Sequence, residues 1–248
     1  MDSQSATQSA SSLDALHAHQ VVLFAVASLA ELRESDTASH LQRVKHYVRL
    51  LAEKLRYQPS LASQLSPTDV DALCASICMY ELGTVAIPDR ILLKPESLSP
   101  EELAIMQTHT TQGYEAILRA EKSLGLQSPL LRFAKELTLS HHEKWNGKGY
   151  PQGLSETRIP LSARLVAVAD VYDALISNKI YRQGMCHDDA VGVIFGERCQ
   201  HFDPDVVDAF MELTVEFAQV ATSFADTEHD MQTKIDYMAN AIAENAEL

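Results

Sequence analysis

The 248-residue chain is short of the features that mark several common protein classes. No apolar run approaches the ~18–20 residues of a membrane span, so no membrane role is expected. Only four cysteines occur (Cys74, Cys78, Cys186 and Cys199), none in a CxxC pair, and no signal-peptide pattern precedes them. They read as thiols of a cytoplasmic protein, with Cys74 and Cys78 in a core one helical turn apart. Positive charge is scarce, with 20 Lys and Arg against 34 Asp and Glu and a net charge of -14. Such a surface repels polyanions and excludes generic binding of a nucleic acid polymer. A small anion would need a local basic cluster. Glycine and proline, nine of each, are few for this length, and β-branched runs are short and scattered. Helices are therefore favoured.

Helical periodicity fills most of the chain. Residues 1–12 are small, polar and Ser/Gln-rich, and a disordered tail is expected there. Apolar residues recur at helical spacing from Leu13 to Arg33, and again from about Thr37 to Arg56 through Leu41, Val44, Val48 and Leu51. Ser66-Pro67, Ser99-Pro100 and Asp203-Pro204 each place a capping side chain before a proline at the first helical position. Acidic residues then follow in the first turn, on the favourable side of the helix dipole. Gly83 to Pro95 reads as irregular, and Asn146 to Pro160, with three Gly and two Pro, as a loop. A strongly apolar helix follows from about Leu161 to Ile176, and a last helical region runs from about Val206. The fold class is all-α, a helical bundle with a functional loop near its middle. The expected division is a tail (1–12), a helical domain (13–215) and a C-terminal helical extension (216–248).

Several residues in this apolar frame need a chemical explanation. Adjacent histidines His141-His142 diverge by ~100° on a helix, so they can face one point only where the helix ends. Asp170 lies within the apolar helix, and a buried carboxylate there needs a metal, an Arg or a Lys against it, with Arg164 the internal candidate. His40 follows Asp36 by four residues, and His109 falls inside a capped amphipathic helix from Glu101 to Leu118. Each alone reads as an ordinary histidine. Together Asp36, His40, His109, His141, His142 and Asp170 would bring N and O ligands from separate helices, as bundle metal sites do. Such a set suits Fe, Mn, Zn or Ni better than Ca or Mg.

In order and spacing these residues resemble the HD-GYP domain, a subgroup of the metal-dependent HD phosphohydrolases, over about Leu29 to Phe210. The likeness is carried by Asp36-Thr37-Ala38-Ser39-His40 with Arg43, Ile87-Pro88-Asp89, Leu92-Leu93-Lys94-Pro95 and Met106-Gln107-Thr108-His109. His141-His142-Glu143-Lys144-Trp145-Asn146-Gly147-Lys148-Gly149-Tyr150-Pro151, the Ile159-to-Leu175 block and His201-Phe202-Asp203-Pro204 complete it. The resemblance implies an HD-domain helical bundle with an inserted GYP loop. It implies a bacterial cyclic di-GMP phosphodiesterase whose one to three divalent transition metals, Fe or Mn foremost, act on the phosphate. Carried over by position, the metal ligands are Asp36, His40, His109, His141, His142 and Asp170. Gly149, Tyr150, Asp173, Lys179 and Arg182 would meet cyclic di-GMP, and Lys144 and Lys148 would add positive field.

The family's His-Asp pair, followed three residues later by Lys, is replaced here by Tyr80-Glu81 and Thr84. A phenol is a poor metal ligand at neutral pH because it ionises only near ~10. Glu81 keeps the charge but reaches ~1 Å further, and such a misplacement can cost roughly 100-fold in rate. Thr84 cannot replace the lost positive charge. Three readings stay open: a receptor for cyclic di-GMP and metal with weak or lost catalysis, an active phosphodiesterase with Glu81 as substitute bridging ligand, and a protein-docking module without nucleotide. The opening helix resembles that of HD-GYP domains placed behind receiver domains. Control by a signalling protein partner or through the ends of the chain is therefore expected. Ile235, Met238, Ala239 and Ile242 form a stripe that reads either as a homodimer contact or as an exposed helix face.

Overall fold

The computed structural model describes residues 39–94, 96–178 and 183–246, together with Val21, Ala25, Val26 and Arg33. The expected tail (1–12), Asp36, Lys179 and Arg182 lie outside the described residues. Of the helix expected over Leu13 to Arg33, Val21, Ala25 and Val26 are helical. Among the described residues the chain is all-α, with only an isolated bridge between Arg198 and Phe202. No described helix is long and apolar enough to cross a membrane.

Helix α1 (Ser39–Leu55) buries Leu41, Val44, Tyr47, Val48, Leu51, Ala52 and Leu55, a stripe at the spacing that puts residues on one face. It packs against α7 (Leu161–Ile176), the central element, in which every residue from Leu161 to Ala169 is buried. Leu165, Val166 and Val168 are wholly inaccessible, each a contribution of about 1.5–3 kcal/mol from burial. Helices α2 (Pro67–Ser76), α5 (His109–Leu124) and α6 (Pro129–Ser140) form one side of the bundle, where α6 touches both of the others and α7. Helices α8 (His187–Gly196) and α9 (Pro204–Met211) flank α7 on another side.

Local chemistry sets the helix starts. Ser66 accepts from the Asp69 amide, and Asp203 accepts from the Asp205 amide at 2.8 Å. Ser99 and Glu102 form a full capping box at the start of α4 (Pro100–Gln107). A fourth start of the same kind, Ser128 accepting from the Leu131 amide ahead of Pro129, escaped the sequence reading.

Two expectations are corrected. The segment from Glu101 to Leu118 is not one helix, because α4 ends at Gln107 and α5 begins at His109. The 3-10 turn Leu82–Ala86 presses its backbone there: a Cβ on Gly83 would lie 1.8 Å from the His109 carbonyl oxygen. The stretch from Gly83 to Pro95 is not wholly irregular, since that turn is followed by α3 (Asp89–Leu92). The region after Val206 is broken into α9, α10 (Thr214–Ser223) and α11 (Glu228–Ala246). The boundary expected at 215/216 cuts α10, whose Phe217 is fully buried between Tyr47, Tyr172 and Phe210. The core therefore extends through α10, and α11 packs on α3. Of the expected stripe on α11, Ile235 and Ala239 are exposed, while Lys234 is buried.

Candidate metal centre

Helix ends bring the chemistry together. His40 stands at the second position of α1, Tyr80 and Glu81 follow the 3-10 turn Ile77–Met79, and His109 opens α5. His141 caps the C-terminus of α6, and Asp170 and Asp173 lie one turn apart on α7. The adjacent histidines face one region because α6 stops there: His141 still donates its amide to Leu137, whereas His142 is already in the turn. Their rings lie 4.0 Å apart.

Glu81, His109, His141 and His142 form a tight group, each offering a ligand atom within 4.8 Å of the others. Glu81 Oε1 lies 3.3 Å from His141 Nε2 and 4.0 Å from His142 Nε2, and Glu81 Oε2 lies 3.4 Å from His109 Nε2. Two rings are fixed from behind: His109 Nδ1 meets the Met106 carbonyl and His141 Nδ1 the Leu137 carbonyl, both at 2.8 Å. Carbonyls only accept, so both Nδ1 atoms carry a proton and each Nε2 faces the centre, the orientation of metal-bound histidines. Burial alone would raise the Glu81 carboxyl, but His141, His109 and His142 hold it well below the usual carboxylate range. Burial and then His141 keep His142 well below its ordinary value, and burial lowers His109 against the pull of Glu81. Glu81 Oε2 is buried without a hydrogen-bond partner among the described residues. A buried carboxylate oxygen left in that state amid three imidazoles fits a cation, and this donor set suits a divalent transition metal.

His40 and Asp170 meet a different group. The Tyr80 hydroxyl lies 2.7 Å from His40 Nε2 and donates to Asp170 Oδ1 at 2.8 Å. His40 Nε2 and Asp170 Oδ1 are themselves 3.5 Å apart. The partner foreseen for Asp170 was a metal, an Arg or a Lys, with Arg164 nearest in sequence; instead Arg164 is buried against Asp203 and donates to the Ile159 carbonyl. Burial raises the Asp170 carboxyl above its ordinary value, against the opposing pull of His40.

Asp173 is fully buried and holds the outer face of His40, with Oδ2 2.8 Å from Nδ1. Arg43 clasps both its oxygens, at 2.6 and 2.9 Å, and also reaches the Phe224 carbonyl and Asp226. Burial would raise the Asp173 carboxyl, but these hydrogen bonds from His40 and Arg43 hold it below its ordinary value. The expectation that Asp173 meets nucleotide is thus corrected: it positions a histidine and has no open face. Arg43, three residues after His40, was visible only as part of a motif, because its partners lie 130 and more residues away.

The loop after His142 is held in place by its own polar groups. Buried Glu143 accepts from the Gln152 and Leu154 amides at 2.8 and 2.9 Å. The Trp145 and Asn146 amides donate to the His201 and Gln200 carbonyls, each at 2.9 Å. Gly149 is required by packing, since a Cβ there would lie 2.3 Å from the Lys144 nitrogen. Tyr150 sets its ring 4.7 Å from that of His142, half-buried at the edge of the Glu81–histidine group, and burial raises its phenol so that it stays neutral. Thr84 is buried and donates to the Glu81 carbonyl at 2.8 Å, closing its own turn. Arg33 clamps that turn through the carbonyls of Thr84, Val85 and Ile87 and through Asp89, a role the sequence reading missed.

Residues 25–206 match the HD domain family. The chain is 46% identical over 210 residues to a probable cyclic di-GMP phosphodiesterase of Vibrio cholerae, covering 85% of this chain and 48% of that protein. It is 41% identical over 226 residues to a cyclic di-GMP phosphodiesterase of the same organism, covering 91% of this chain and 45% of that one. The chain thus spans about half the length of these relatives. Among solved structures, a cyclic GMP-AMP specific phosphodiesterase of V. cholerae superposes with a TM-score of 0.56 at 15% identity, over 91% of this chain and 59% of that one, which bears on the fold alone. On the family match, these relatives and the unbroken run from His141 to Pro151 beside the ligand group, the chain belongs to the HD domain family, as a member of HD-GYP type.

Proposed function

We propose that this domain serves bacterial cyclic di-GMP signalling by binding cyclic di-GMP beside a divalent transition metal, with phosphodiesterase activity weak or lost. The observation that carries the reading is the split of the site. One half, Glu81 with His109, His141 and His142, offers a converging donor set, while Tyr80 occupies the other half between His40 and Asp170. Fe or Mn suits that donor set, and such an ion would supply Lewis-acid stabilisation of a phosphate oxygen. In this reading the chain's own residues do the rest. His109 and His141 are oriented by Met106 and Leu137, Tyr150 offers a neutral aromatic face, and Lys144 and Lys148 would give the local positive field that an acidic surface lacks.

A second reading has one observation in its favour: Glu81 keeps a carboxylate amid three imidazoles, which supports an active phosphodiesterase with Glu81 as substitute bridging ligand. Anaerobic purification, loading with Fe(II) or Mn(II), and chromatography of cyclic di-GMP decide between the two. Dinucleotide recovered bound and unchanged is the expected result. Metal-dependent linear product, absent from a His141→Ala/His142→Ala control, would establish the enzyme instead. Neither binding nor product would end the nucleotide reading in favour of protein docking.

A further inference from the structure

We propose that the Tyr80 hydroxyl takes the place of a cation between His40 and Asp170, so that this centre holds a single metal ion, at Glu81, His109, His141 and His142. The inference rests on the reading that the ligand group binds metal, and it fixes how many ions that group can share a substrate with.

Two potential ligand atoms, His40 Nε2 and Asp170 Oδ1, converge to 3.5 Å. Ligands of one ion with bonds near ~2.1 Å lie at roughly this separation. The phenolic oxygen sits against both, at 2.7 and 2.8 Å, and serves one as donor and the other as partner in a second hydrogen bond. The space in which a cation would satisfy both residues is filled by an oxygen that already satisfies them.

That oxygen is not free to leave. Tyr80 is 1% exposed, and its ring stands edge-on to His141 at 5.1 Å. Withdrawing it would open a void in a close-packed interior. His40 is held in place from its other nitrogen by Asp173, which Arg43 holds in turn, so its ring cannot swing towards the other ligands. Meanwhile Glu81 and the three histidines form a complete set of four protein donors without His40 or Asp170. A single ion can polarise a phosphate oxygen, but it cannot clamp the attacking and the leaving oxygen together as paired ions do. The position of one hydroxyl would therefore account for binding without efficient hydrolysis.

The test is a metal count on the full chain loaded with Mn(II), by elemental analysis and electron paramagnetic resonance. The expected result is one Mn per chain with an uncoupled six-line spectrum, rising to two per chain with spin coupling in Tyr80→His. Two coupled ions in the unsubstituted protein would overturn this inference and leave the metal reading standing. No bound ion at all would remove the metal reading itself. Folded Tyr80→His, checked by circular dichroism, that still held one ion would show that the hydroxyl is not what excludes the second. Were Tyr80→His not to fold, the count and spectrum of the unsubstituted protein decide alone.

Discussion

A methyl group added at Gly83 tests the link between the fold and the ligand group most directly. An ideal Cβ there lies 1.8 Å from the His109 carbonyl oxygen, 2.7 Å from its carbon and 2.8 Å from the Gly113 nitrogen. The first distance is roughly 1.5 Å short of ordinary contact. All three obstacles are backbone, so no side chain can rotate away and α5 must shift from its first residue. Overpacking costs about 1–3 kcal/mol, and a backbone obstacle puts Gly83→Ala at the upper end. For a chain of this size that lowers Tm by about 6–12 °C. Because His109 is the residue displaced, Mn(II) affinity should fall by about 10–100-fold, the loss usual when the support of a ligand is disturbed. Gly113→Ala is the control, since its Cβ would first meet the Thr138 Cγ2 methyl at 2.4 Å, a side chain rather than backbone. It should cost less on both measures. Thermal melts followed by circular dichroism and Mn(II) titrations check the pair. Gly83→Ala melting within about 2 °C of the parent, with unchanged Mn(II) affinity, would refute the reasoning.

Three further outcomes follow from the buried polar groups. Asp173→Ala leaves the Arg43 guanidinium buried with Asp226 as its remaining carboxylate, and should cost about 3 kcal/mol in urea unfolding. His201 is lowered from 6.5 to about 4 by burial and then by Lys144. Between those values the unfolded chain binds a proton that the folded chain refuses, so stability falls as pH drops through that window. His201→Gln should flatten the profile there, and an unchanged slope in urea midpoints against pH would count against it. Glu143→Ala strands the Gln152 and Leu154 amides without their acceptor, at a cost of about 2–4 kcal/mol. Limited proteolysis should then cut between residues 146 and 155, where the parent resists.

What was legible in the sequence was written in local chemistry. The starts at Ser66, Ser99 and Asp203 depend on a side chain and an amide two or three residues apart, so they could be read directly. The central helix announced itself by near-continuous apolarity, and His141-His142 by standing where a helix had to end. Positions separated by long stretches of chain were the ones misjudged. The break at His109 comes from a glycine 26 residues earlier, the partner of Asp170 is a hydroxyl 90 residues away, and Arg43 reaches Asp173 across 130. None of these leaves a periodic trace. That Tyr80-Glu81 stands where the resemblance expects His-Asp was legible at once, but which of the two would fill the half of the site nearest α7 depended on reach across the bundle.

Under the proposed function, the loop between Trp145 and Leu154 has a consequence for binding kinetics. Its Trp145, Asn146, Gln152 and Leu154 amides are already committed to His201, Gln200 and Glu143, so it enters an encounter folded. Ordering a free loop would cost about 1–2 kcal/mol per residue at the moment of association. Here that loss falls on the folding of the domain, and an arriving ligand bears little of it. Capture should then be governed by diffusion and by the small positive field around Lys144 and Lys148 rather than by a slow conformational step. Its rate would climb as ionic strength falls, and a single exponential would describe it.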